Sequence, residues 1–330
     1  MKLFGKHTVR IIDAVLIGMI IFCVGCGAIR GNEGEVSGET SIANAGAEPP
    51  KIGSETISLT EGSGETAETE GEQRVIALSK SNAELWLLAG GTLVATSDDA
   101  MKLEGISEDT VSLGDMDHVS LEAIAALEPD LLILFSTDPA QKALGEAAEA
   151  VGLSVYYTNI DNFADYENVM LELTKKTGRD DLYQNNVSEV AEEIERIVGE
   201  IPADSEGGKY LLLHVSATKS KVEKDEYFAC EIFNRLGLEN IAADDSAFDE
   251  LSIEQIVATD PDYIFVVPRG DEEKALGSFD ELFTSQPAWT GLSAVQKEHY
   301  YLLSKDLFGL KPNEQWAESY KEAYRILYGE

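Results

Sequence analysis

Two stretches of the chain, Ser120–Leu134 (SLEAIAALEPDLLIL) and Ser252–Val266 (SIEQIVATDPDYIFV), align without a gap and share Ser, Glu, Ile, Ala, Pro and Asp at equal offsets. In each copy the serine is placed to cap a short helix, and Gln255 completes the pattern of a capping box. The Pro-Asp turn then ends the helix and begins an apolar run of strand length. Such a run is typical of a parallel strand buried on both faces. The repeat therefore predicts two α/β lobes built on one plan.

The sequence around the first copy alternates between short apolar runs and amphipathic segments. Apolar runs of this length indicate strands, and longer segments that end at glycine indicate helices. This pattern is typical of an α/β lobe. The predicted strands are 74–78, 92–96, 131–135 and 154–158, and the predicted helices are 83–89, 121–127 and 140–151.

A long amphipathic helix is predicted between the two copies, over residues 180–198. Its apolar residues recur at helical spacing, and Gly199 and Pro202 end it. At 1.5 Å per residue, about 19 residues span ~30 Å, the width of a small domain. We therefore predict an α/β protein of two lobes, each with a mostly parallel sheet flanked by helices, joined by this spine helix. The expected boundaries are 73–177 for the N-terminal lobe, 178–200 for the spine and 201–330 for the C-terminal lobe.

The charge balance limits the partners of this chain of 330 residues. It has 61 acidic against 25 basic residues, a formal net charge of -36. Most of its surface therefore repels nucleic acids and anionic lipids. With three cysteines, two of them near the N-terminus, the chain does not carry a disulfide framework.

The N-terminus predicts export. Residues 1–25 read as a lipoprotein signal peptide, with basic residues before an apolar run of about eleven residues that is short for a membrane span. The run ends before Cys26, whose setting resembles the lipidation site of bacterial lipoproteins; an uncleaved signal anchor is the alternative. Residues 26–72 follow as a flexible acidic tether. These features predict a protein held by a lipid at the outer face of the cytoplasmic membrane, on a Gram-positive cell surface.

Residues 74–329 resemble the substrate-binding proteins of bacterial ABC importers for iron–siderophore complexes, haem and vitamin B12. The resemblance rests on RVIALSKSNAELWLLAGG from Arg74, the paired repeat, the spine helix, LGLENIAADD from Leu236 and the C-terminal PNEQWAESYKEAYRILYG. It implies a ligand cleft between the lobes, small rocking motions and no catalysis. It also implies that Glu122 and Glu254 meet arginines of the permease, which works with an ATPase. The expected receptor is a monomer without a cofactor, catalytic residue or metal site, and its expected ligand is a ferric siderophore.

Ligands of open α/β sheets lie beyond the carboxyl ends of the strands, which selects loop residues as candidate ligand contacts. The basic ones among them suit an anionic ferric chelate or haem propionates, although solubilising surface lysines would look the same. The candidates are Ser79, Lys80, Ser81, Met116, His118, His214, Lys219, Lys221, Arg269, Phe308 and Lys311.

Other functions remain open at this point. A haem or cobalamin receptor of the same family is the first alternative, with Met116, His118 or His214 as haem ligands. A divalent metal bound by two of these histidines and Asp117 is less favoured, and His299 reads as structural. The sequence lacks the common hydrolase, zinc-protease and nucleotide-binding motifs, which disfavours an enzyme. A surface scaffold would not need two matched lobes.

Overall fold

The computed structural model of this chain describes residues 73–243 and 252–329. The predicted signal peptide, Cys26 and the tether lie outside the described residues. The described part contains two five-stranded sheets flanked by helices, and each copy of the repeat contributes a strand to a different sheet. The predicted α/β fold class is thereby confirmed.

The first sheet is parallel throughout and has the strand order β3-β2-β1-β4-β5. Helices connect most of its strands. Its strands are β1 Val75–Ala77, β2 Ala95–Thr96, β3 Val111–Ser112, β4 Leu131–Phe135 and β5 Val155–Thr158, and its helices are α1 Lys80–Leu88, α2 Leu121–Ala125, α3 Pro139–Ala150 and α4 Phe163–Thr177.

The predicted spine is present as one helical stretch after Gly178, which ends α4 in the left-handed region at φ 69°. It consists of α5 Asp180–Tyr183, a π-helical turn Gln184–Ser188 and α6 Glu189–Gly199. Val187, Ile194 and Ile197 on one side of it are buried. The predicted apolar face is therefore the face that packs.

The second sheet has the order β10-β9-β6-β7, with β8 also paired to β6. Only the pairing of β7 with β6 is antiparallel among the described strands of this sheet, so the sheet is mostly parallel as predicted. Its strands are β6 Gly208–Val215, β7 Ser220–Val222, β8 Leu238–Asn240, β9 Tyr263–Pro268 and β10 Tyr300–Leu302, and its helices are α7 Phe228–Arg235, α8 Ile253–Thr259, α9 Glu272–Phe279, α10 Ser293–Gln296, α11 Lys305–Phe308 and α12 Trp316–Tyr328.

The side chains of each central strand alternate between two cores, as the two-residue period of a strand requires. In β1, Val75 and Ala77 face one cluster while Ile76 faces another. In β6, Tyr210 and Leu212 join the same cluster as Val75. One hydrophobic core therefore runs from the first sheet to the second, and the spine and α12 belong to it. On the other face of each sheet lies a separate hydrophobic core.

No helix within the described residues has the length and apolar character needed to cross a bilayer.

Candidate functional site

Ser79 follows the carboxyl end of β1 and begins α1. Its hydroxyl accepts a hydrogen bond from the Asn82 amide at 3.2 Å, and its own amide donates to Ser97 Oγ at 2.9 Å. The residue is buried and has φ 89°, a conformation that side chains rarely adopt without such support. Ser79 thus fixes the start of the helix at the edge where the sequence predicts ligand contacts.

The next two residues at this edge differ in exposure. Lys80 is exposed, and its amide donates to Asp99 Oδ2 at 2.9 Å. The same carboxylate accepts from the Ser97 hydroxyl. Ser81 is half-buried, and its hydroxyl has no hydrogen-bond partner within the described structure. Of the three, Lys80 offers its side chain to solvent.

Met116 and His118 form a 3₁₀ turn that begins at Asp115. The Asp117 amide donates to the Asp115 carboxylate and lowers the pKa of Asp115, with His118 adding to the effect. The Gln141 amide nitrogen lies 3.6 Å from Met116 Sδ, whereas the His118 side chain is 83% exposed. The two predicted haem-ligand candidates of this turn therefore differ: one is in protein contact and one is in solvent.

His214 lies near the carboxyl end of β6 and is buried. Its Nδ1 is 2.8 Å from Glu223 Oε1, and its Nε2 is 3.4 Å from the Tyr227 hydroxyl. Burial opposes ionisation of Glu223, but hydrogen bonds from His214 and Lys221 outweigh it and lower the pKa of that carboxyl. Both ring nitrogens of His214 thus face protein partners, an arrangement that orients the ring.

Three exposed basic residues lie at the carboxyl edge of the second sheet: Lys219, Lys221 and Arg269. The Arg269 amide donates to the Val215 carbonyl at 2.7 Å, which holds Arg269 beside the end of β6. Lys221 Nζ is 2.9 Å from Glu223 Oε2, yet its side chain is 63% exposed. The structure therefore brings these three predicted residues to one edge.

Phe308 and Lys311 are predicted ligand contacts, but in this structure both side chains contact other parts of the protein. The Phe308 ring is fully buried and stacks on Phe233 at a centroid distance of 5.8 Å, so it has no surface to offer a ligand in this structure. The Lys311 ammonium donates to the Ile160 carbonyl and lies 3.8 Å from Asp161. Burial lowers the pKa of Lys311. Tertiary packing that one sequence does not reveal determines both positions.

Glu122 and Glu254 occupy equivalent places in the two lobes, in the first turns of α2 and α8, and both are exposed. Ser120 Oγ accepts from the Ala123 amide at 3.2 Å. Ser252 and Gln255 form the predicted capping box. The repeat thus presents one carboxylate on each lobe from the same local structure.

Two surface depressions of about 500 and 940 Å³ lie around the amino end of β6, away from the predicted ligand edge. His299 lines the smaller one, stacks on Tyr263 at 4.6 Å and has Nδ1 3.2 Å from the Asp262 carbonyl. These contacts agree with a structural histidine. Within the described residues, no group of three or more His, Cys, Asp or Glu side chains is arranged to hold a metal ion.

Several buried polar contacts of this region are not predicted from the sequence. Asn82 donates to the Leu78 carbonyl and accepts from the Thr158 hydroxyl, tying β1, α1 and β5 together. Glu231 of the C-terminal lobe accepts from the Phe163 amide of the N-terminal lobe at 2.7 Å. An isolated Asn or Glu in an amphipathic helix gives no sequence signal of such a long-range bond.

The chain belongs to the periplasmic binding protein family, because the sequence model of that family matches residues 75–307. It is therefore a substrate-binding protein of an ABC importer, a transport component and not an enzyme, and its homologues are extracytoplasmic. It is 26% identical to the Fe(3+)-citrate-binding protein YfmC of Bacillus subtilis, over 96% of this chain and 97% of the relative.

Solved structures share the two-lobed fold. An ABC transporter substrate-binding protein from Listeria monocytogenes matches with a TM-score of 0.68 and 21% identity, over 79% of this chain and 100% of the other. Staphylococcus aureus IsdE, solved with haem, matches with a TM-score of 0.67 and 18% identity, over 78% of this chain and 100% of the other.

Proposed function

We propose that this protein captures an anionic ferric chelate, of the siderophore or citrate type, between its two lobes and delivers it to an ABC permease. Two facts support the transport class: the family match over residues 75–307 and the likeness to a Fe(3+)-citrate-binding protein along nearly the whole of both chains. The ligand class rests on the charges at the carboxyl edges of the sheets.

The observation that carries the ligand class is the basic edge of the C-terminal lobe. Lys219, Lys221 and Arg269 are exposed there, in a chain whose formal net charge is -36. Exposed cations at one edge reduce the negative charge there and attract an anion that the rest of the surface repels. Lys80 adds a cation at the edge of the other lobe. Arginine also binds carboxylates with two parallel hydrogen bonds, which suits a hydroxycarboxylate chelate.

Protein contacts weaken the haem alternative for two of its three candidate ligands, His214 and Met116, whereas His118 is 83% exposed. His214 faces Glu223 and Tyr227 through its two ring nitrogens, and Met116 Sδ lies against Gln141. A haem ligand needs an unoccupied nitrogen or sulfur aimed at the iron. We therefore assign His214 the role of holding Glu223, together with Lys221, whose side chain stays 63% exposed beside the proposed ligand edge.

The ligand class is tested by isothermal titration calorimetry of the purified full-length chain with ferric citrate, a ferric tris-catechol chelate, haem and cobalamin. We expect saturable binding of a ferric chelate, and a loss of about tenfold or more in affinity, ~1.4 kcal/mol, in Arg269→Glu. Lys142→Glu is the matched control, because Lys142 is exposed on α3. Binding of haem or cobalamin alone would show that the ligand class is wrong while leaving the family unchanged.

Delivery is proposed to use Glu122 and Glu254, one on each lobe. Both are exposed in the first turn of a capped helix, where a carboxylate is favourably placed. Pairs between carboxylates and arginines are strong and directional. Two such contacts, one on each lobe, let the permease respond to the separation of the lobes of a monomeric receptor.

Membrane attachment is proposed to occur through a lipid on Cys26, at the outer face of the cytoplasmic membrane of a Gram-positive cell. The sequence of residues 1–26 supports this proposal, and these residues lie outside the described ones. Cells grown with an alkyne fatty acid should label the full chain, and Cys26→Ser should remove the label. Retention of label in Cys26→Ser would contradict lipidation at this residue.

A further inference from the structure

Two side chains of the C-terminal lobe hold the same short segment of the N-terminal lobe, residues 160–163. This segment follows β5 at the carboxyl edge of the first sheet. The Lys311 ammonium donates to the Ile160 carbonyl. Glu231 Oε2 accepts from the Phe163 amide at 2.7 Å. The two bonds run in opposite directions and lie three residues apart, so together they fix both the position and the tilt of the segment.

Each of these groups is removed from water to make its bond. The Lys311 side chain is 23% exposed, lies 5.2 Å above the Phe228 ring and is 3.8 Å from Asp161. Burial raises the pKa of Glu231, an effect that the Phe163 amide and Arg235 partly offset. Desolvating a charge costs free energy, and one ion pair or hydrogen bond recovers only a small part of that cost. Such bonds add little net stability but allow one geometry, so they are suited to positioning.

Beside these two bonds, the lobes are also held together by apolar contacts. Trp316 is fully buried and meets the Phe163 and Phe228 rings edge-on, each at 5.6 Å. Edge-to-face aromatic contacts of this kind tolerate small rotations better than hydrogen bonds do. With the bond from Asn313 to Glu84, which also joins the lobes, these two polar bonds are therefore the contacts that distinguish one lobe separation from another.

We propose that Lys311 and Glu231 form an interlobe clamp on residues 160–163 that sets the separation of the two lobes in the unliganded protein. A clamp that joins the lobes at one segment limits the distance between their other ends. It therefore also sets the spacing of Glu122 and Glu254, a consequence that rests on the proposed docking function. The clamp itself is independent of the ligand.

The clamp is tested by measuring the distance between the lobes with spin labels. The full-length chain carries cysteines in place of Ala147 on α3 and Val257 on α8, both exposed. Cys23 and Cys26 are replaced by serine, and Cys230 is fully buried. Double electron–electron resonance then gives the distribution of distances between the two spin labels in the absence of ligand.

We expect Lys311→Met and Glu231→Ala each to broaden the distribution and shift its mean by about 2 Å or more. Lys311→Arg and Glu231→Gln keep a donor and an acceptor and should restore the parent distribution. Lys305→Met, which removes a charge from the same part of the C-terminal lobe, should leave it unchanged. Parent distributions in both Lys311→Met and Glu231→Ala, with cooperative thermal unfolding preserved, would overturn the proposal.

Hydrogen exchange of the unsubstituted full-length chain gives a second measurement that does not depend on folding of a variant. First-turn amides of a helix lack an intrahelical acceptor and exchange readily when nothing else binds them. The clamp predicts that the Phe163 amide is protected because Glu231 accepts its hydrogen bond. Exchange of this amide as fast as that of exposed first-turn amides would contradict the Glu231 arm of the clamp.

Discussion

Glu223 is a buried carboxylate held by hydrogen bonds from two residues of the same lobe. Lys221 Nζ lies 2.9 Å from one carboxylate oxygen and His214 Nδ1 lies 2.8 Å from the other. Desolvation raises the pKa of Glu223, but the two hydrogen bonds lower it by more, so its pKa lies below the ordinary value of 4.5. The ionised carboxylate therefore stabilises the folded protein above that pH, and this contribution is lost as the pH falls through the lowered pKa.

The variant Glu223→Gln should lower the free energy of unfolding at neutral pH by about 1–3 kcal/mol, because His214 and Lys221 lose their charged partner. Below pH 4.5 the difference from the parent should shrink, since the Glu223 carboxyl becomes protonated first in the unfolded parent and then, at its lowered pKa, in the folded parent. Urea unfolding at a series of pH values measures both effects, and Glu226→Gln at an exposed position is the control. A difference that stays constant down to pH 3 would refute the assignment.

The position of a residue can be predicted where residues close to it in the sequence determine that position. Arg269 follows a buried strand directly, so its place at the carboxyl edge can be predicted from the sequence. Phe308 cannot be placed in the same way, because the ring that buries it, Phe233, is 75 positions away on another helix. Lys311 is similar, since its partner at Ile160 belongs to the other lobe.

At the scale of elements, the capping box of α8 should contribute measurably to stability. Ser252 Oγ accepts from the Gln255 amide at 3.3 Å, and the Gln255 side chain accepts from the Ser252 amide at 3.2 Å. Ser252→Ala should reduce the free energy of unfolding by about 1 kcal/mol. Chemical denaturation checks this value, with Ser252→Asp as the variant that retains a cap. Equal losses in Ser252→Ala and Ser252→Asp would exclude capping as the cause.

Elements with a strong local pattern are predicted with good bounds. The apolar run 131–135 is β4, and the predicted spine 180–198 is the helical stretch 180–199. Helix α4 is absent from the predicted elements, although its buried residues Phe163, Tyr166, Val169, Met170 and Leu173 recur at helical spacing and could have predicted it. Strand β7 has three residues, too few for a period to show. Its antiparallel pairing depends on the hairpin beside His214.

At the scale of the molecule, transport should depend on both lobe carboxylates at once. Glu122→Arg together with Glu254→Arg should abolish ligand-dependent stimulation of the permease ATPase in proteoliposomes, because two proposed pairs become repulsive contacts. Ligand affinity in solution should stay within about twofold of the parent, since neither residue belongs to the proposed binding edge. Glu146→Arg and Glu272→Arg at exposed positions are the matched controls. Normal ATPase stimulation by the double variant would show that docking uses other residues.

The two-lobed architecture can be predicted from the repeat, since two copies of one helix–turn–strand unit require two sheets. The joining of the lobes cannot, because it depends on contacts between distant parts of the chain. Asn313 donates to Glu84 across 229 positions of sequence, and Lys311 and Glu231 make comparable long-range bonds. The predicted boundaries at 73, 178 and 201 stay predictions, since one core crosses them.

The core that runs through both sheets makes the order of synthesis matter. Trp316 and Tyr320, within the last 15 residues of the chain, are fully buried in the same cluster as Val75 of the first strand. A growing polypeptide therefore lacks part of this shared core until residues 316–320 have been synthesised. Because the two lobes share this core, we expect them to unfold in one cooperative transition.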